Sequence, residues 1–299
     1  MDSLALRALL TAALFLFSAC TGTPHRETAS STPIRIATWN LEHLAAQDGM
    51  GCRPRTEADY AGMRAHVARL DADVIAFEEI ESIEAAQRVF PAAEYTIEMS
   101  KRPDSGRDGF CRRDATSGPK IRKQDVGFAI RKSIRYVRNP DLVDLALGDP
   151  DLRWGVDITL EGPAPLRLLA LHLKSGCARG DRNEACPVLF DQVPVLQQWV
   201  AARRTEGVAF AMLGDWNRRL ALPGDEVWQR LNEDGAGLVH AAGGRGARCS
   251  ERYPDFIDII VLDPAAAARV RPDSFEEYDF GVPEAEHPSD HCPVAVVFD

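Results

Sequence analysis

The chain is poor in several features, and each scarcity removes a class of protein. No two of its seven cysteines form a Cys-x-x-Cys pair, so no spacing supports a structural zinc site. There is no internal repeat and no second compositional regime, which argues against arrays and strings of unlike domains. Positive charge is not in excess: 35 Lys and Arg face 45 Asp and Glu, and the net charge of −10 does not favour nonspecific binding to polyanions. Aromatic residues make up only 7% and do not interleave with the basic ones, so no stacking platform for single strands is legible. The N-terminal apolar run is too short to span a bilayer comfortably.

What is present is a set of short apolar runs, each ending in a polar cluster. Ile34 to Trp39 leads into Asn40-Leu41-Glu42, and Asp73 to Phe77 into Glu78-Glu79. Leu166 to Leu171 leads into His172, and Val208 to Gly214 into Asp215-Trp216-Asn217. Ile257 to Leu262 carries Asp258, and Pro293 to Phe298 follows Ser289-Asp290-His291-Cys292. Such runs suit strands buried on both faces. A carboxylate or imidazole at their ends belongs at a rim, because an unpaired charge in mid-core costs several kcal/mol. Taken singly, Asp215 or Asn40 could be a turn former and His172 a hydrogen-bonded structural histidine. Taken together, hard oxygen ligands and imidazoles from several strands are the inventory of a hydrolytic metal site. The Asp290-His291 pair is a plausible general base.

The length fits one large α/β domain of mixed strands, with helical segments at Glu57 to Leu70, Ile83 to Phe90 and Phe190 to Arg204. Residues 101 to 138 carry twelve Lys or Arg against four Asp, either a solvated basic face or a phosphate-facing rim.

At the N-terminus, Arg7 precedes the apolar run Ala8 to Phe17, then Ser18-Ala19-Cys20. Residues 1 to 19 read as a signal peptide, and Ser-Ala before Cys resembles a bacterial lipobox. On that reading Cys20 is lipidated, 20 to 33 is a flexible tether, and 34 to 299 is the working domain. Phe17, where leucine is usual, keeps an ordinary secretory signal open. The expected location is the periplasm or cell envelope, the outer membrane included, with secretion as the alternative. The six remaining cysteines suit disulfides in an exported chain. Cys177 and Cys186 bracket a polar loop just after His172 and are the favoured pair. Cys52 with Cys111 is a second pairing, since both lie in Gly/Arg-rich loops, and Cys249 with Cys292 follows by elimination.

The clusters, in this order and spanning residues 34 to 298, resemble the endonuclease/exonuclease/phosphatase superfamily, which includes pancreatic-type deoxyribonucleases, class II apurinic endonucleases, neutral sphingomyelinases and inositol-polyphosphate 5-phosphatases. Glu78 departs from the family's usual Gln, and Trp216 from its commoner Phe or Leu. The resemblance implies a four-layer α/β/β/α sandwich of two mixed sheets, deoxyribonuclease I-like. It implies a phosphate-ester hydrolase using Mg²⁺, with Mn²⁺ or Ca²⁺ as alternatives. Glu79, helped by Asn40, Glu42 and Asp290, would hold the cation. His291, its tautomer held by Asp258, would activate water with Asp215. Asn217 would donate to a phosphoryl oxygen, and His172 would stabilise the transition state or protonate the leaving oxygen. Arg153, placed on a strand from 153 to 158, resembles a family phosphate-binding Arg. Lys174 would also face phosphate. Gln124 stands where some members place a partner for His172. The expected substrate is a phosphodiester, with DNA the first candidate and a monomeric enzyme the expected form. A phosphomonoester or phospholipid substrate, or a non-catalytic surface binding protein on the same scaffold, are the alternatives.

Overall fold

A computed structural model of the chain describes residues 32–106, 109–112 and 115–299. The expected signal peptide, Cys20 and residues 20 to 31 of the tether lie outside them. In chain order the elements are β1 (Ile34–Leu44), α1 (Glu57–Leu70), β2 (Val74–Ile80), α2 (Ile83–Val89), β3 (Tyr95–Met99), β4 (Asp125–Arg131) and β5 (Tyr136–Arg138). There follow β6 (Val156–Leu160), β7 (Leu166–His172), α3 (Cys186–Glu206), β8 (Ala209–Asp215), α4 (Glu226–Leu231), β9 (Val239–His240) and β10 (Asp258–Leu262). The chain closes with α5 (Pro264–Ala267), β11 (Glu276–Glu277) and β12 (Val294–Phe298).

The strands form two six-stranded sheets, in the orders β11-β12-β1-β2-β4-β3 and β5-β6-β7-β8-β10-β9. Both are mixed: β1 pairs parallel with β2 and antiparallel with β12, and β7 pairs parallel with β8, which pairs antiparallel with β10. Alternation along the strands builds the layers. From β1, Ile36 enters the core between the sheets with Val74, Phe128, Leu168 and Leu213, while Ala37 and Trp39 face Tyr60, Met63 and Val67 of α1. Behind the second sheet, Leu189, Val193 and Trp199 of α3 close the same core from outside. The result is the α/β/β/α sandwich. No helix among the described residues is long and apolar enough to cross a membrane.

The helix over Glu57–Leu70 has the bounds read from sequence, opened by a capping box between Thr56 and Asp59. The third helix is longer than the pattern 190–204 suggests, because it starts at Cys186 with a proline in its first turn, where a missing N–H costs nothing. Arg153 is not on a strand: β6 begins at Val156, Gly155 before it forms an isolated bridge with Leu142, and Arg153 sits in the preceding loop, donating from Nη2 to the Leu173 carbonyl at 3.0 Å.

All three disulfides form: Cys52–Cys111, Cys177–Cys186 and Cys249–Cys292. The loop closed by Cys177–Cys186 is also held by buried Arg218, which donates to the Cys177 carbonyl (3.1 Å) and pairs with Asp225 (2.7 Å). Replacing both Cys177 and Cys186 by serine is expected to lower unfolding free energy by about 2 to 3 kcal/mol, the loop-closure value for a ring this size. Denaturant titration, with midpoint and slope both fitted, is the measurement; an unfolding free energy equal to the parent's would contradict it.

Candidate active site

Register assembles the site. His172 lies beside Asp215 across β7 and β8, and Asp215 beside Asp258 across β8 and β10. One row of the second sheet thus carries three of the polar groups. The first sheet contributes Asn40 from β1, Glu79 from the end of β2, and the segment 289–291 leading into β12. The close approach of β7 and β8 requires Gly214: with φ +145°, a Cβ there would stand 1.9 Å from the Leu171 carbonyl oxygen. The rim is also where the backbone is strained. Glu42, His43, Glu79 and Asn217 all have φ between 44° and 61°, at a cost on the order of 1–3 kcal/mol each. Such residues aim side chains off the ladder toward one another.

The hydrogen bonds run across the seam between the sheets. Asn40, fully buried, donates from Nδ2 to Asp215 Oδ2 (3.1 Å) and accepts from the Glu42 amide (2.9 Å). His172 Nε2 lies 3.3 Å from Asp215 Oδ2 and 3.9 Å from Glu79 Oε1. Asp215 Oδ1 accepts from the Asn217 amide (2.8 Å), and the Asn217 side chain donates to the Leu173 carbonyl (3.2 Å). His291 Nδ1 is 2.7 Å from Asp258 Oδ2, and its Nε2 is 3.8 Å from Asp290 Oδ1. Trp39 Nε1 donates to the His291 carbonyl (3.1 Å), and Ser289 Oγ to the Asn40 carbonyl (2.7 Å), so the loop before β12 is pinned to β1.

Electrostatics separate the two histidines. Burial, then the positive charge of Arg153, holds His172 well below the usual imidazole range, so it is neutral at pH 7. Burial would also lower His291, but the carboxylates of Asp258, which adds a hydrogen bond, Asp215 and Asp290 together outweigh it and hold it well above that range. Burial pushes the Asp215 carboxyl up to about 7, with His291 opposing and Asp258 adding to the rise.

Glu78, paired in register with Asn40 and wholly buried, accepts from Thr38 Oγ1 at 3.0 Å. Burial, then Asp258 and Asp215, raises its carboxyl well above 4.5. A neutral carboxylic acid there has nearly the shape of a glutamine side chain. As pH rises past 4.5, the unfolded chain sheds this proton before the folded one does, so stability falls until the folded value is passed. Glu78→Gln removes that loss. Thermal melts should show the variant more stable than the parent at pH 8 and nearly level at pH 4.

The donor set fits a hard divalent cation. Asp215, Asp258 and His291 present ligand atoms within 4.8 Å of one another, and Glu79, Asn40 and Asp290 border them. Asp258 Oδ1 is buried without a hydrogen-bond partner among the described residues. Carboxylate and amide oxygens with one imidazole and no thiolate among them suit a hard divalent cation.

The structure brings together Asn40, Glu79, His172, Asp215, Asn217, Asp258, Asp290 and His291. Glu42 is close but engaged: it pairs with Arg53 and accepts from the Asp290 amide (2.9 Å). Gln124 does not partner His172; its Nε2 lies 3.2 Å from His43 Nδ1, and His172 Nδ1 is buried without a partner. Lys174 Nζ donates to the Ser175 carbonyl. Within the basic segment, Arg102 and Lys123 pair with buried Asp125, Arg122 with Glu81, and Arg138 with Asp141, so much of its charge serves the fold. His43 and Arg55 are absent from the sequence reading. His43 follows directly on the Asn40-Leu41-Glu42 cluster, which could have marked it. Buried Arg55 donates to the carbonyls of Leu41 (2.8 Å), Glu42 (2.9 Å) and Pro288 (2.9 Å), clamping the two rim segments; a lone arginine in a Gly/Arg-rich loop carries no such signal.

No protein-family model and no curated protein sequence matches the chain. Solved structures do. The chain is similar to the human Nocturnin catalytic domain with bound sulfate anion, at TM-score 0.60 and 16% identity over 89% of this chain and 94% of that one. It is similar to D. rerio TDP2 complexed with single strand DNA product, at TM-score 0.61 and 17% identity over 90% and 100%. It is also similar to the Neisseria 3′ phosphatase NExo bound to product DNA hairpin, at TM-score 0.55 and 20% identity over 89% and 99%. The fold is therefore the deoxyribonuclease I-like α/β/β/α sandwich that these structures share.

Proposed function

We propose that the protein is a Mg²⁺-dependent phosphoric ester hydrolase acting on phosphodiesters, with DNA as the first substrate to try. The observation that carries this reading is the row His172, Asp215, Asp258, completed from the other sheet by Asn40, Glu79 and His291. The DNA products named for two fold neighbours point to the substrate class.

Glu79 would be the principal ligand of the cation, with Asn40 and Asp290 beside it and Glu42 at its edge. The bound cation would neutralise charge on the scissile phosphate and on the leaving oxygen. Asp258 holds His291 Nδ1–H, which leaves Nε2 to take a proton from the attacking water. Asp215 orients that water. Asn217 has a second amide N–H beyond the one spent on Leu173, and it serves a phosphoryl oxygen. Neutral His172 acts as a hydrogen-bond donor that fixes Asp215, and not as a proton donor to the leaving group. Arg153 and Lys174 lie at the Leu173 end of the site and favour an anionic substrate.

Plasmid nicking, a chromogenic bis-ester and a phospholipid, assayed side by side with Mg²⁺ and with chelator, test the reading. Cation-dependent cleavage of a diester is expected. Full activity in excess chelator, or no cleavage of any ester, would remove it. The 3′ phosphatase among the fold neighbours favours one second reading, a phosphomonoesterase, to be scored on a 3′-phosphate oligonucleotide.

The three disulfides support export. With residues 1–19 as signal and 20–33 as tether, Cys20 would carry lipid and anchor a monomeric enzyme at the cell envelope. Intact-mass analysis should find a mature start at Cys20 with lipid mass; an unlipidated start elsewhere would end that part.

A further inference from the structure

We propose that Cys249, Cys292 and His287 form a second metal site, for a zinc-type cation, that is closed while the disulfide is intact and opens when it is reduced. One ligand atom from each of the three residues lies within 4.8 Å of the others. His287 Nδ1 is 3.9 Å from Cys292 Sγ, and its Nε2 is 3.1 Å from the Val282 carbonyl. A neutral ring therefore donates from Nε2 and turns the Nδ1 lone pair toward the sulfurs, the arrangement that fixes the tautomer of a metal-bound histidine. Ligands on tetrahedral zinc, with bonds of about 2.0–2.3 Å, stand about 3.5–3.8 Å apart, close to the nitrogen–sulfur distance already present.

The framework does not depend on the sulfur–sulfur bond. The buried Glu277 carboxylate accepts from the amides of Arg248 (2.7 Å) and Cys249 (3.0 Å). On the other side, the Tyr278 amide donates to the Pro293 carbonyl (2.8 Å). The backbone at Cys249 and the residue after Cys292 are thus held by hydrogen bonds that do not involve the sulfurs. The three residues line a cavity of about 550 Å³ with Glu251, Glu277 and Glu284, which leaves a fourth coordination position open. Access is through half-buried Cys249.

The opening step is thiol–disulfide exchange. A dithiol thiolate attacks one protein sulfur, and a mixed disulfide forms. The dithiol's second sulfur then displaces it, so the dithiol ends as a cyclic disulfide and the protein gains two electrons and two protons as two thiols. Cation binding releases those two protons. Thiolate ligands set this site apart from the oxygen and imidazole donors around Glu79, so the inference does not rest on the hydrolase reading.

Full-length protein is reduced anaerobically with excess dithiothreitol, desalted, saturated with Mg²⁺ to occupy carboxylate sites, and titrated with Co²⁺. Thiolate-to-cobalt charge-transfer absorption should appear at one equivalent, be absent from oxidised protein, and be bleached by Zn²⁺. His287→Ala, which keeps the disulfide and so the oxidised fold, should weaken Co²⁺ binding at least about tenfold. The Cys249→Ser, Cys292→Ser double variant, with its fold checked by circular dichroism, should lose the band. No band after reduction, a band unchanged in His287→Ala, or a band surviving in the folded double variant would each overturn the proposal.

Discussion

Replacing His291 by alanine is expected to lower turnover by roughly 10² to 10⁴, the usual contribution of a positioned general base. The ring is tied to Asp258 at one nitrogen only, and the backbone around it is held by Trp39 and Ser289 rather than by the imidazole. The loop should therefore survive the change, and melting temperature should move little. The pH profile is the sharper readout. The carboxylates around His291 hold its pKa above the ordinary value, so in the parent the acid limb of kcat/KM should lie above pH 6.5 at low Mg²⁺. A cation among the same carboxylates opposes the imidazolium, so raising Mg²⁺ should move that limb to lower pH. In His291→Ala the limb should vanish with the rate. A variant with parental turnover, or a limb indifferent to Mg²⁺, would contradict the assignment.

Glu79→Gln should cost at least about a hundredfold in activity, as loss of a charge placed for cation and transition state does. The side chain keeps its shape, and its oxygen can still accept from the His43 amide (3.1 Å). What changes is the charge facing the site, so the half-saturating Mg²⁺ concentration should rise as the maximal rate falls. Isothermal titration with Mg²⁺ separates the two effects. Equal metal affinity in parent and variant would assign Glu79 to the loop at His43 instead.

The chemistry-bearing strands were legible because burial on both faces leaves continuous apolar runs, and each run stops where a charged group must reach the rim. Ala209 to Asp215 follows that rule, and Leu166 to His172 follows it except at half-buried Arg167, which pairs with Asp157. The rule fails for β5, β9 and β11, which have two or three residues and depend on a neighbour for their existence. It also fails for Arg153, whose flanking Trp154-Gly155-Val156 reads as extended while the bridged stretch starts only at Gly155 and β6 at Val156. Gln124 was read by position in the chain, but its partner was decided by the bulge at Glu42 and His43, whose left-handed backbone swings His43 toward it. Arg55 acts through three carbonyl oxygens, and carbonyls have no sequence signature.

Asn40 reaches Asp215 from the opposite sheet, so one hydrogen bond of 3.1 Å gauges the thickness of the interior. The rest of the rim is divided in the same way, with Glu79 and His291 on one slab and His172 and Asp258 on the other. A methyl group lost or gained deep in the sandwich, at Val74 or Leu213, shifts one slab against its mate without touching any polar group. Interior remodelling would then surface as slowed chemistry well before it surfaced as melting, and turnover becomes the more sensitive ruler of how tightly the two halves are packed.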